Sequence, residues 1–550
     1  MKELVYSGLN FEIDKRSGLI PRNELNFLGK FIKVSWIVLI LSVLIQCIIF
    51  WSVENFFASV CVLIAWSITT TIVLTKKNLN NYSLSTFLII GFALTQYLLP
   101  IVFILLEGKP LVYNLKYPFE VFIHSILALI VLVISHLAYK ALSSPLSSLR
   151  FKLQKSMKFA GLFNAPKDSE VWIMGIIGLL AMFASYFFIK QSFQNESEGS
   201  GNKFIEGLVP FTYSPYLLLV KALYGASSSK LKGYIPKILV FTALLFAVGI
   251  GANARSLFIT GIVAGGIAYF LGLLLGKLSF RFFSGKNFAI VAFFVWLATG
   301  PLADIGTAMV VVRSQRGSIS KTEMLLKTLD TYDDKEALRS FKKMIADSRI
   351  NLVWDEHYFD NIFLARFCNL KFNDLSIEQA NKINQIDEKM QNYSLDRLWS
   401  IFPQPVLSLL QVDLDKKTVL SSSFGDYLYF RSGGSANALG GFRTGQFAGT
   451  GMAAFGWWYL LLLGLGIIPV YFLLDLFVIS IKSPVLKSRF FRISFAGLLS
   501  ITSIFMFLSL SSTSESVINI FTYILRGWIQ IVLLYWIVYA LTRKLVFILK

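Results

Sequence analysis

Residues 119–140 read FEVFIHSILALIVLVISHLAYK, an almost unbroken apolar run whose charges, Glu120 and Lys140, stand at its two ends. As a helix, a run of this length rises roughly 33 Å, enough to cross the ~30 Å hydrocarbon core of a bilayer. Comparable runs lie near 31–50, 56–75, 84–106, 169–189, 205–225, 234–251, 256–276, 288–308, 453–480, 491–510 and 516–541, so about 12 spans are expected. Glu206, Pro210 and Pro215 interrupt the sixth, which reads as a kinked span or a re-entrant segment. Composition agrees: 55% of the 550 residues are hydrophobic and only 15% are charged, against about 25% charged in soluble domains. The first thirty residues are polar, and no small-residue cleavage pattern follows the first apolar run, so an uncleaved anchor is expected. Cys47 and Cys61 fall in the first two spans and Cys368 stands apart, which reads as packing cysteine rather than a disulfide framework.

Lysine and arginine alternate between the connecting segments. The N-terminal segment and every second loop after it hold about 28 of them, including Lys15, Arg16, Arg150, Lys155, Lys232 and Arg489. The intervening short loops hold about five: Lys109, Lys116, Lys190, Lys203 and Arg255. Basic loops stay cytoplasmic, so both termini are expected in the cytoplasm, and the sixth segment must cross for the alternation to continue. The formal net charge of +20 then belongs to loops facing anionic lipid, not to a nucleic-acid surface.

The expected organisation is a cytoplasmic segment 1–30, transmembrane helices 1–9 over 31–308, an external hydrophilic domain 309–452, and transmembrane helices 10–12 with a cytoplasmic C-terminus over 453–550. Within the external domain, Ser320-x-x-Glu323 and Asp333-x-x-Glu336 are helix-start patterns. Further helices are expected from Ser376 through QANKINQIDEKMQ and from Ser394 to Pro403. The domain then turns glycine-rich, RSGGSANALGGFRTGQFAGTG over 431–451, and two arginines and aromatic residues among the glycines favour a site-lining loop over a plain linker.

No P-loop, G-x-S-x-G, H-E-x-x-H or C-x-x-C occurs, so neither a cofactor nor a metal site is expected. Candidate anion-binding residues are the arginines of the expected outer face. Arg255 ends the seventh run in VGIGANARSLFITG, Arg313 and Arg316 follow the ninth, and Arg431 and Arg443 precede the tenth. Arg526 lies about ten residues into the last run, where an arginine costs at least ~2.5 kcal/mol and must face protein or a polar cavity. Asp475 and Glu515 are the nearest acids for a structural pairing. His357, in WDEHYFDN, is the candidate general base, with Asp304, Asp355 and Asp360 as carboxylates that could take the role instead. His124 and His136 are expected to be packed within the fourth helix.

GANARSLF at 251–258, the long late external loop, and its glycine-rich exit GGFRTGQFAGTGMAAFGWW at 440–458 together resemble the O-antigen polymerase (Wzy) family of bacterial envelope glycan assembly. The likeness in topology covers most of the chain, whereas the residue-level likeness covers only these segments. Many relatives carry an acid where Gln446 stands. The resemblance implies a GT-C-like, all-α, polytopic fold in the bacterial inner membrane. It implies a metal-independent glycosyltransferase that polymerises polyprenyl-pyrophosphate-linked oligosaccharide repeats of O-antigen, lipopolysaccharide, capsule or exopolysaccharide by block transfer at the outer face. A flippase and a chain-length regulator are the implied protein partners. Two other readings share the topology. An O-antigen ligase would transfer onto a lipid A core, and a lipid or glycan flippase would explain the spans and Arg526 without catalysis.

Overall fold

A computed structural model describes residues 27–189, 200–226, 233–253, 255–280, 299–312, 319–348, 354–482, 489–500 and 514–548, with isolated positions between 281 and 298. Among the described residues, seven helices are long and apolar enough to cross a membrane. They are α1 (Phe27–Ile49), α2 (Val53–Val73), α3 (Ser83–Leu106), α4 (Pro118–Leu142), α6 (Asp168–Phe188), α16 (Trp458–Leu476) and α17 (Asn519–Ile548). Between α4 and α6 runs the basic helix α5 (Ser147–Phe159). Three further apolar helices follow α6: α7 (Ile235–Gly251), α8 (Arg255–Leu274) and α9 (Pro301–Val311). Most of the expected ninth run lies outside the described residues.

The interrupted sixth run is a bent element. Ser200–Leu208 is α-helical, Val209–Val220 is 3₁₀, and Lys221–Tyr224 is a last α turn. Pro215 sits inside the 3₁₀ stretch, where its missing N–H bars a regular α ladder. Glycine on α6 admits this irregular backbone, since a Cβ at Gly178 would fall 2.1 Å from the Thr212 nitrogen.

The expected tenth run is divided in two. Helix α15 (Phe447–Phe455) ends at Gly456, which adopts φ +56°, and α16 starts afresh at Trp458. Beyond α16 the chain forms an antiparallel hairpin, β1 (Val478–Lys482) with β2 (Arg489–Ile493), pairing Val478 with Ile493. The expected eleventh span therefore cannot begin at 491. Its described part is a short helix, Phe495–Leu499, and 501–513 lie outside the described residues.

The segment between α9 and α15 is helical: α10 (Lys321–Asp333), α11 (Lys335–Ser348), α12 (Leu370–Ile383), α13 (Glu388–Trp399) and α14 (Phe424–Arg431) are its longer elements. Ser320 caps α10 as the sequence predicts, by accepting from the Glu323 N–H at 3.1 Å. Asp334, not Asp333, caps α11, accepting from the Glu336 and Ala337 N–H groups. The helix expected from Ser376 through Gln391 is two helices. Asn384 breaks it with φ 56°, and Asp387 caps the second by accepting from Met390 N–H at 2.9 Å.

α12 is polar yet buried along Leu370–Ala380. It is clasped from below by residues 107–117, the connection between α3 and α4. Asp374 accepts from the Lys116 and Tyr117 N–H groups, both at 2.8 Å, and pairs with Lys371 at 2.9 Å. Glu378 pairs with Lys116 at 2.9 Å.

At the other end of the same helices, Asp475 of α16 is fully buried. It accepts from Leu84 N–H at 3.1 Å and Ser85 N–H at 3.2 Å, the first turn of α3. It also accepts from Ser85 Oγ at 2.7 Å and Tyr139 Oη at 3.2 Å. His136 lies 3.1 Å from Ser85 Oγ, and Arg150 of α5 reaches the Asp475 carbonyl at 3.1 Å. The basic helix and the polar helical module thus occupy opposite ends of α3, α4 and α16. Cysteines placed at Lys155 and at Lys342, in a background without Cys47, should accordingly label from opposite sides of sealed vesicles. Equal labelling from one side would remove the two-ended arrangement.

Candidate functional site

His357 is built into the clasp between the module and the 107–117 connection. Its backbone N–H donates to Asp355 Oδ1 at 2.9 Å, and its Nε2 lies 3.3 Å from Asp360. Asn114 donates to Asp355 Oδ2 at 2.8 Å and to the His357 carbonyl. Asp360 is paired with Lys109 at 2.8 Å, while its N–H and that of Asn361 donate to Glu107. These hydrogen bonds and ion pairs join the polar module to the 107–117 connection. Asp304, on α9, is held by Lys335 at 3.2 Å and Lys342 at 3.0 Å and fastens α11 onto α9. The four expected catalytic residues therefore fall into two separate ties.

The arginines divide as well. Arg431 donates through Nε and Nη2 to Asp387 Oδ2 at 2.9 and 2.7 Å. Burial raises the Asp387 carboxyl, but the Arg431 bonds and the Met390 N–H outweigh it and hold that carboxyl below its ordinary range. Arg443 donates to Asp426 Oδ1 at 3.1 Å and to the Ala438 carbonyl at 2.7 Å, and lies 4.8 Å over the Tyr429 ring. Arg526 occupies a π turn, Tyr523–Gly527, and donates to Gln530 Oε1 at 3.2 Å, so its partner is an amide one turn on rather than Asp475 or Glu515. Arg255 opens α8; its side chain, and Arg313 and Arg316 entirely, lie outside the described residues.

Around Arg443 the structure gathers a cluster that no local pattern announces. Asp426, fully buried at the start of α14, also accepts from the Phe442 and Arg443 N–H groups at 2.7 and 3.0 Å, pinning the glycine-rich segment down. Glu356 accepts from Thr444 N–H at 3.0 Å and from the Trp354 indole at 3.2 Å. Glu515 stands just before α17, and its carboxyl accepts from the Phe424 N–H. Burial drives that carboxyl up to about 7; Asp426 and Glu356 push the same way, against Arg397 and the Phe424 bond. Arg397, on α13, donates to the Val419 carbonyl at 3.2 Å and lies 5.3 Å over Phe424. Among the described residues it holds no ion pair.

Glycine serves close approach here. A Cβ at Gly449 would sit 2.1 Å from the Ser376 carbonyl carbon, where α15 crosses α12. Gln446 caps α15 by accepting from Ala448 N–H at 2.7 Å. Thr450 Oγ1 donates to the Glu515 carbonyl at 2.7 Å and to the Gln446 carbonyl at 3.2 Å, linking the cap to Glu515. The arrangement combines a carboxyl whose proton affinity burial raises to near neutral pH with the Arg397 guanidinium, where the polar module meets the apolar helices.

No known protein family, curated protein or solved structure matches this chain.

Proposed function

We propose that the protein polymerises oligosaccharide repeats carried on polyprenyl pyrophosphate, by glycosyl transfer at the outer face of a bacterial inner membrane. The observation that carries this reading is the placement of Glu515 under the glycine-rich segment, in the field of Arg397 and Asp426 and at the head of the last apolar helix. A membrane-bound glycosyl donor must bring its pyrophosphate to such a boundary, with its lipid in the bilayer and its sugars in water.

In this reading an acceptor hydroxyl attacks the anomeric carbon of the donor. A new C–O bond forms, the bond from that carbon to the pyrophosphate oxygen breaks, and the lipid pyrophosphate leaves with the electron pair. Glu515 receives the hydroxyl proton, a task suited to a base whose affinity for protons is near the working pH. Arg397 supplies charge for the departing anion, because a planar guanidinium matches phosphate oxygens through paired bonds. Arg443 shapes the segment above through Asp426. Gln446 leaves the acid role of its position open, and Glu515, joined to it through Thr450, fills that role from another part of the chain.

Purified protein given only lipid-pyrophosphate-linked oligosaccharide should lengthen the glycan. Glu515→Gln should slow this by about 10²-fold or more. The wild-type rate should fall as pH drops through about 7, because protonation removes the base, and this limb should vanish in the Gln variant. A Gln variant with unchanged rate would end the assignment of Glu515. A protein that moves the lipid-linked substrate between leaflets without lengthening it would end the enzymatic reading.

A further inference from the structure

A cavity of about 250 Å³ opens between the start of α4, the end of α12 and the α15–α16 junction. Glu120, His124, Asn381, Met452 and Trp457 are among its lining residues. Trp457 is 53% exposed although one face of its indole is covered. The His124 ring stacks on that face at 4.7 Å with the planes 10° apart, and His124 Nδ1 lies 2.8 Å from Tyr459 Oη. The indole is therefore a plate backed by a buried, hydrogen-bonded ring. On the rim, Asn381 Nδ2 donates to Glu120 Oε2 at 2.7 Å. That bond fixes both side chains and leaves the second carboxylate oxygen and the amide carbonyl as acceptors.

We infer that this cavity seats one ring of a neutral glycan against Trp457, with sugar hydroxyls donating to Glu120 and Asn381. Three features select that occupant. An exposed, rigidly backed aromatic face suits the flat, weakly polar C–H side of a pyranose, with an electrostatic component from the negative ring face. Two fixed acceptors beside it suit hydroxyl donors, which an acyl chain lacks. The lining contains a carboxylate and no lysine or arginine, so an anionic headgroup would meet repulsion. The volume is also below the roughly 300–1,000 Å³ of pockets that enclose a drug-sized ligand, so it holds one ring of a chain that continues outside.

The inference deepens the glycan-transfer reading and rests on it for biological meaning. Met452 lies on α15, two residues beyond the Thr450 that bonds Glu515 and on a different face of that helix, so a glycan that continues out of the cavity has one helix to pass to reach the proposed transfer site. The cavity thus becomes an acceptor or product subsite.

The test is saturation-transfer difference NMR on the full-length protein in phosphatidylcholine nanodiscs. The probes are millimolar methyl glycosides of glucose, galactose, mannose and N-acetylglucosamine. Ring C–H signals should appear for at least one glycoside, fall at least about fivefold in Trp457→Leu, and persist in part in Trp457→Phe. Asn381→Ala, at an exposed position, should weaken them without altering the fold. Absence of ring signals, or signals indifferent to both Trp457→Leu and Asn381→Ala, would overturn the subsite, as would transfer to lipid chains alone. Glu515→Gln should leave binding intact, so loss of the polymerase reading and loss of the subsite are separately visible.

Discussion

Asp475→Ala should lower the stability of the protein by about 2–5 kcal/mol, seen as an earlier midpoint in thermal or SDS unfolding of the detergent-solubilised chain. The carboxylate accepts four bonds, two of them from the first turn of α3. A helix start has N–H groups with no partner of its own, and here a residue of another helix caps them. Even at the mild ~0.6 kcal/mol typical of hydrogen bonds between membrane helices, four bonds amount to about 2.4 kcal/mol. Leaving buried donors unsatisfied adds roughly 1–3 kcal/mol for each that finds no water. Asp475→Asn should recover part of the loss, because one oxygen can still accept both N–H groups. An alanine variant with the wild-type midpoint would show that α3 starts without this cap.

The second large effect is expected at Gly449. Alanine there places a Cβ 2.1 Å from the Ser376 carbonyl carbon, and backbone stands on both sides of the clash. No flexible side chain can yield, so α15 and α12 must separate by more than an ångström. Overpacking of this kind costs roughly 1–3 kcal/mol and more where the backbone itself is displaced. The same shift moves Thr450 off the Glu515 carbonyl, so glycan-lengthening activity should fall further than the unfolding midpoint suggests. Gly266→Ala is the control, since nothing lies within 4 Å of a Cβ at that site. If Gly449→Ala matches that control in both measurements, the tight crossing is not needed.

The long apolar helices were legible because a single property, hydropathy over twenty residues, determines them. α1 to α4 and α6 begin and end within a few residues of the runs read from the chain. Elements set by local backbone chemistry were harder to read. VISIK and RFFRI are apolar enough to pass for the ends of spans, but their β-branched and aromatic residues pair as a hairpin. Asn384 divides a continuous helical pattern by adopting a left-handed conformation, which asparagine tolerates. In the glycine-rich segment, the glycine at the α15–α12 crossing serves contact rather than conformational freedom. Glu515 was visible only as a pairing partner for Arg526. Its surroundings come from Glu356, Arg397, Phe424 and Asp426, about 90 to 160 residues earlier in the sequence, and no local pattern brings those together.

The clasp on Asp374 sets an order of events during biosynthesis. The Lys116 and Tyr117 N–H groups that receive it precede it by 258 and 257 residues, so the receiving hairpin leaves the ribosome long before its occupant. Until α12 emerges and crosses to the same side, those N–H groups are served by water, and α12 itself, a charged helix, has no apolar neighbour to hide against. Docking of α12 on this connection is therefore expected late in assembly. A chain truncated before 374 should retain an open, protease-sensitive 107–117 connection, whereas the completed chain closes it.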